Sequence, residues 1–88
     1  MKIVKTAKAG TLESNDILIM ASPNGNNGIE ISIESIVIKQ FGKQIRKTIE
    51  DKLKEMKAEN VKIVAQDKGA LDYTIKARVE TAIKRAME

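Results

Sequence analysis

The sequence of 88 residues has no histidine, no cysteine and no tryptophan, and only one tyrosine, one phenylalanine and one proline. Each absence closes off a class of function. Without Cys or His the usual zinc ligand sets cannot be assembled, because carboxylates alone seldom hold zinc. A Ser or Cys nucleophile has no imidazole base to activate it. The side chain best suited to proton transfer near neutral pH is also missing. Carboxylates, lysines and Tyr73 are what remain. The chain therefore does not read as an unaided enzyme, and neither a catalytic residue nor a metal site is assigned. Without cysteine there is no disulfide framework.

Long apolar runs are also lacking. No segment approaches the roughly 20 apolar residues of a membrane span. The opening MKIVKTAKAGTLES has no signal-peptide core. The cytoplasm is the expected compartment, and one domain over residues 1–88 is the expected organisation. A chain of this size buries about 60–65% of its unfolded surface and is stable by about 5–8 kcal/mol.

Charge is present but uneven. The formal net charge is +4. Lys2, Lys5 and Lys8 lead the chain; residues 11–36 then carry Glu13, Asp16, Glu30 and Glu34 with no Lys or Arg. A basic stretch follows, with Lys39, Lys43, Arg46, Lys47, Lys54 and Lys57 interrupted by acids.

The patterning predicts five main elements. Residues 15–21 read as a strand after the polar turn Glu13-Ser14-Asn15-Asp16. Ser22 to Gly28 is a loop by composition; it lacks the ending of a phosphate-binding loop and precedes a strand. Ile29, Ile31 and Ile33 alternate with Glu30, Ser32 and Glu34, predicting a strand with one face buried and its two glutamates in water. Phe41, Ile45, Ile49, Leu53 and Met56 form one helical stripe over residues 36–57, with Ser35 as cap. Gly42 inside it suggests close packing, and Lys47–Asp51 and Glu50–Lys54 are spaced to pair.

Residues 61–65 give a third strand. Asp67 is the expected cap of a last helix with stripe Leu71, Ile75, Val79, Ala82 and Ala86. Phe41 is assigned to the core, and Tyr73 to a packing role. The order predicts an α+β fold: a small mixed three-stranded sheet (strand-strand-helix-strand-helix) with both helices on one face. The first two strands are expected to pair antiparallel, with the first between the other two. The second and third should run parallel through a right-handed crossover. Ile3 and Val4 are candidates for an added edge strand.

Ser14 is the candidate site. A serine at a loop-to-strand junction is exposed and unhindered, though from these residues alone forming the turn is the commoner role of such a serine. At Gly10-Thr11-Leu12-Glu13-Ser14-Asn15-Asp16 the chain resembles the acyl carrier (gamma chain) family of citrate lyase. The resemblance continues through Lys39-Gln40-Phe41-Gly42, Asp67-Lys68-Gly69-Ala70-Leu71-Asp72, Ala77-Arg78, Glu80 and Arg85-Ala86. It implies that Ser14 carries a triphosphoribosyl-dephospho-CoA group through a phosphodiester, attached by a transferase. It implies that the thiol of this group bears acetyl or citryl, passed between an alpha subunit (acyl transferase) and a beta subunit (lyase). No nucleic acid or membrane partner is implied. Asn15 stands where that family often has a small residue such as Gly.

Ordinary acyl carrier proteins differ in being acidic helical bundles with Asp-Ser-Leu opening a helix. Glu13 and Asp16 are expected to steer the modifying enzyme. The resemblance does not separate citrate from citramalate lyase. From another class, a small basic RNA-binding protein is the alternative, resting on the charged helix face. It lacks the stacking aromatics that single-strand readers present.

Overall fold

The computed structural model describes residues 2–87. The elements are β1 (Ala7–Ala9), β2 (Ile17–Pro23), β3 (Glu30–Ser35), α1 (Ile38–Glu55), β4 (Val61–Asp67) and α2 (Asp72–Met87). The class is α+β, as the sequence predicts, but the sheet has four strands in the order β1-β2-β4-β3.

Burial decides that order. In β2, Ile17, Ile19 and Ala21 are buried; in β4, Val61, Ile63, Ala65 and Asp67 are. These two strands pair antiparallel along their whole length at the centre of the sheet, with Ile19 opposite Ala65 and Ala21 opposite Ile63. β3 runs parallel to β4, as expected, but as an edge strand. The expected pairing of the first two long strands is therefore incorrect, and of the three long strands it is β4, not β2, that lies between the other two. Two tethers hold the loop between them onto the start of β4. The Asn24 N–H donates to the Asn60 carbonyl at 3.0 Å, and the Gly28 N–H to Asn60 Oδ1 at 3.0 Å. The isoleucine alternation of β3 is real but half-buried: Ile31 and Ile33 pack against the core, while Ile29 is exposed. Its outward Glu30 and Glu34 suit a strand that has no neighbour on one side.

The extra strand, β1, pairs with β2 through Ala7–Ala21 and Ala9–Ile19. Ala-Lys-Ala has weak β propensity, so local pattern gives no sign of it. The candidates Ile3 and Val4 do something else. Val4 and Lys5 N–H groups donate to the Ala86 carbonyl at 2.9 and 3.2 Å, satisfying the end of α2, and Ile3 is buried in the core.

Both helices pack on the face bearing Ile17, Ile19, Ile63 and Ala65. Ile45, Ile49 and Leu53 of α1 join Ile75, Val79, Ala82, Ile83 and Ala86 of α2 in one core cluster with that face. Lys52 reaches Glu80 at 2.8 Å across the two helices. Lys47 and Asp51 pair at 2.9 Å as their spacing predicts. Gly42 sits under Ile38 of its own helix, where a Cβ would come 3.0 Å from Ile38 Cδ1.

The stripes hold except at their first members. Phe41, assigned to the core, is 48% exposed, and Leu71 is 58% exposed. Tyr73 is 71% exposed and does not pack. All three precede the first buried residue of their helix, Ile45 in α1 and Ile75 in α2. Ser35 is not the helix cap: Val37 occupies that position without a side-chain bond. The Ser35 hydroxyl instead donates to Asp67 Oδ2 at 2.8 Å and accepts from the Val37 N–H at 3.1 Å.

Candidate functional site

The segment between β1 and β2 is short and strongly constrained. Gly10 turns the chain with φ +94°, and a Cβ there would lie 1.8 Å from the Ile17 carbonyl oxygen. Only glycine allows that approach. The chain then folds over at Glu13–Asp16, where the Asp16 N–H donates to the Glu13 carbonyl at 3.1 Å. Asn15 has φ 65°, as the third residue of a type II turn requires. Asn tolerates this geometry through its short polar side chain, so it can replace Gly here. Ser14 is the second residue of the turn and is exposed.

Asp16 holds the turn from below. Arg78 of α2 donates through Nε and Nη2 to its two carboxylate oxygens, each at 3.0 Å. The Thr11 hydroxyl donates to Oδ2 at 2.8 Å and the Ile17 N–H to Oδ1 at 2.7 Å. Thr11 in turn accepts from the Glu13 N–H at 3.1 Å. The Arg78 guanidinium, helped by the Thr11 and Ile17 donors, lowers the Asp16 pKa from 3.8 to about 2 against the opposing effect of burial. Arg78 is shifted upward by the same contact.

A second turn clamps the first. Asp67, at the end of β4 and only 2% exposed, accepts from the Gly69 N–H at 3.1 Å and the Ala70 N–H at 2.9 Å. It shapes the turn before α2, rather than capping α2 itself. Across the gap, the Asn15 N–H donates to the Lys68 carbonyl at 2.8 Å and the Lys68 N–H to the Asp16 carbonyl at 2.9 Å. Strand pairing thus continues past Ile17 and Asp67 into both turns.

The structure brings Glu13, Ser14 and Asp16 together but gives them different tasks. Glu13 is exposed and free to meet a partner. The Asp16 side chain is 13% exposed and engaged by Arg78, so its charge acts inward, on the turn. The Ser14 hydroxyl makes none of the hydrogen bonds described among residues 2–87. Gly10, Arg78 and Lys68 are site residues that local pattern does not reveal. Of the basic residues on the α1 face, Arg46 donates to the Ile31 carbonyl and Lys47 pairs with Asp51. That leaves a broken cationic surface.

The Asp16–Arg78 contact has a pH signature. A carboxyl whose folded pKa is depressed adds stability above its unfolded pKa, near 4, and loses it as pH falls toward 2. The shift corresponds to about 2 kcal/mol, discounted to about 1–2 because Arg78 is 40% exposed. Asp16→Asn should therefore be less stable than wild type by about 1–2 kcal/mol at pH 7. In denaturant titrations the gap should narrow as pH falls below about 4 and close below about pH 2, once Asp16 is protonated in both states. A gap of the same size at both pH values would show that packing, not charge, is what is lost.

The site is a clamped turn on a small α+β base, with Ser14 exposed at its tip. The family described as "ACP: Malonate decarboxylase delta subunit (MdcD)" matches residues 4–86. The citrate lyase acyl carrier protein of Halothermothrix orenii is 55% identical over 86 residues, covering 98% of this chain and 90% of that protein. That of Lactiplantibacillus plantarum is 57% identical over 88 residues, covering 100% and 91%. The crystal structure of a Pseudomonas malonate decarboxylase hetero-tetramer in complex with malonate contains a chain of the same fold. Its TM-score is 0.83 at 17% identity, with 96% of this chain and 86% of that chain covered.

The class is thus an acyl carrier, a non-catalytic subunit type that works through a prosthetic group. Within that class, the chain belongs to the citrate lyase acyl carrier protein family. Among the described residues, no helix is long and apolar enough to cross a membrane.

Proposed function

We propose that Ser14 is the attachment point of a dephospho-CoA-type group, donated as triphosphoribosyl-dephospho-CoA and held through its first phosphate, and that the chain carries acetyl and citryl thioesters between the alpha and beta subunits of a citrate lyase. The observation that carries this reading is the Ser14 hydroxyl, exposed at the tip of a turn held by Arg78, Asp16 and Lys68. The residues fit the group. The hydroxyl is open to a phosphoryl donor. The sulfur that the chain lacks is what the group supplies.

In the attachment step, the Ser14 oxygen forms a bond to the first phosphorus of the donor's triphosphate. The bond to the next phosphate breaks, pyrophosphate leaves, and the hydroxyl proton passes to a base of the transferase. What the chain then provides is position. Tethering holds the thioester at millimolar effective concentration near each subunit, and the clamped turn keeps the root of the tether fixed.

The test incubates the bare chain with the host's transferase and the activated donor. One equivalent of pyrophosphate should be released per chain, with a matching mass gain. A chain recovered at its original mass, with no pyrophosphate formed, would refute the reading.

A further inference from the structure

Next to the Ser14 turn lies an apolar groove of about 280 Å³. Val37, Phe41 and Ile45 of the α1 side face Gly69, Ala70 and Leu71 across it. Phe41 and Leu71 form its lips, each about half exposed, and the exposed Ile36 and Ile38 extend the apolar surface beyond it. At one end Gln44 Nε2 donates to both Asp72 carboxylate oxygens, at 3.2 and 3.1 Å, tying the two helices together. At the other end the groove wall touches the site: a Cβ on Gly69 would lie 3.6 Å from Asn15 Oδ1, one residue from Ser14. Phe41 and Leu71 leave about half of their apolar surface in water, where it adds nothing to the fold, and contiguous exposed apolar surface of this kind marks contact with another protein.

We propose that this groove is the docking face for the enzyme that attaches the prosthetic group, which seats an apolar side chain between Phe41 and Leu71. The proposal rests on Ser14 being the attachment point. Reach selects this partner over the others. An enzyme forming a bond to the Ser14 oxygen must bring its reactive centre to that atom, and an ordinary interface covers about 800 Å² on each partner. Because the groove wall at Gly69 adjoins Asn15, such a footprint centred on Ser14 extends onto the groove. A subunit acting on the thioester at the far end of the arm has no such obligation.

The chemistry of the rim completes the description of the partner. Asp16 is engaged by Arg78 and Asp72 by Gln44, which leaves Glu13 as the exposed carboxylate of the turn itself. The complementary surface has an aromatic or aliphatic anchor flanked by basic or other hydrogen-bond-donating groups.

The experiment measures the rate of group attachment against carrier concentration, using the host's transferase and its activated donor, for wild type, Phe41→Ala and Leu71→Gln. Both side chains are about half exposed, and circular dichroism melting checks each variant. Each substitution should raise KM about tenfold, the loss of one interface anchor, with kcat unchanged. Ser14→Ala, which has no hydroxyl to modify, should compete with wild-type carrier. Ser14→Ala combined with Phe41→Ala should compete about tenfold less well. An unchanged KM, or a loss confined to kcat, overturns the proposal. So does concentration-dependent dimerisation of the wild type that Phe41→Ala abolishes, since a second copy would then fill the groove. If wild type itself accepts no group at Ser14, it is the attachment reading that fails.

Discussion

Ser14→Ala should fold as the wild type does and leave the alpha and beta subunits with no activity. The first half follows from the turn. Ser14 makes none of the described hydrogen bonds, it is exposed, and the turn is held by its neighbours: Asn15 at φ 65°, Asp16 on Arg78, and Lys68 across the gap. Removing an exposed, unbonded hydroxyl changes stability by less than about 0.5 kcal/mol. The second half follows from the lack of a substitute. Thr11 is the other hydroxyl in the segment, and it is occupied at both ends, donating to Asp16 and accepting from Glu13. The effect is all-or-none, because a carrier without its arm delivers nothing. Reconstituting the complex with the variant checks it. Activity with Ser14→Ala equal to that with the loaded wild type would place the arm elsewhere.

The second large effect is structural. Gly10→Ala should cost about 3 kcal/mol or more, close to half of the stability expected for this chain, and lower Tm by about 12–24 °C. Two causes act together. The backbone at φ +94° is one that L side chains avoid, and the new Cβ would overlap the Ile17 carbonyl oxygen at 1.8 Å. Neither can be relieved locally, because the carbonyl belongs to the central strand β2 and the same Cβ would also come 3.2 Å from Arg78 Cδ. Thermal melting by circular dichroism reads the outcome. A variant melting within a few degrees of wild type would mean that the segment from Gly10 to Ile17 is not locked onto the sheet.

The outward form of the site can be read from sequence; its support cannot. Glu13-Ser14-Asn15-Asp16 announces a turn because short polar residues form turns by local bonding, and the following Ile17 to Met20 announces a strand. Those are neighbour effects. The grip on the turn comes from Arg78, more than sixty positions away on α2, and from Lys68 on the far side of α1. Local periodicity carries no information about such partners, and in the sequence Arg78 stands out only as part of a family motif.

Sheet order failed for a similar reason. A hairpin between β2 and β3 is the economical guess for adjacent strands, and the Asn60 tethers that defeat it lie beyond α1. Helix stripes, by contrast, were right through their middles, where Ile45, Ile49, Leu53, Ile75 and Val79 meet the sheet. They were wrong at Phe41 and Leu71, whose apolar side chains line an exposed groove beside the site. An apolar residue at the right spacing looks the same whether the surface it meets belongs to its own chain or to another.

The most direct measurement is the mass of the chain taken from its native host, followed by proteolysis and sequencing of the modified peptide. The account predicts a chain heavier than its sequence by one CoA-type group, all of it on the peptide containing Ser14. A chain at its bare sequence mass from cells metabolising citrate, or the group on Thr11, Ser22 or Ser32 instead, would contradict it.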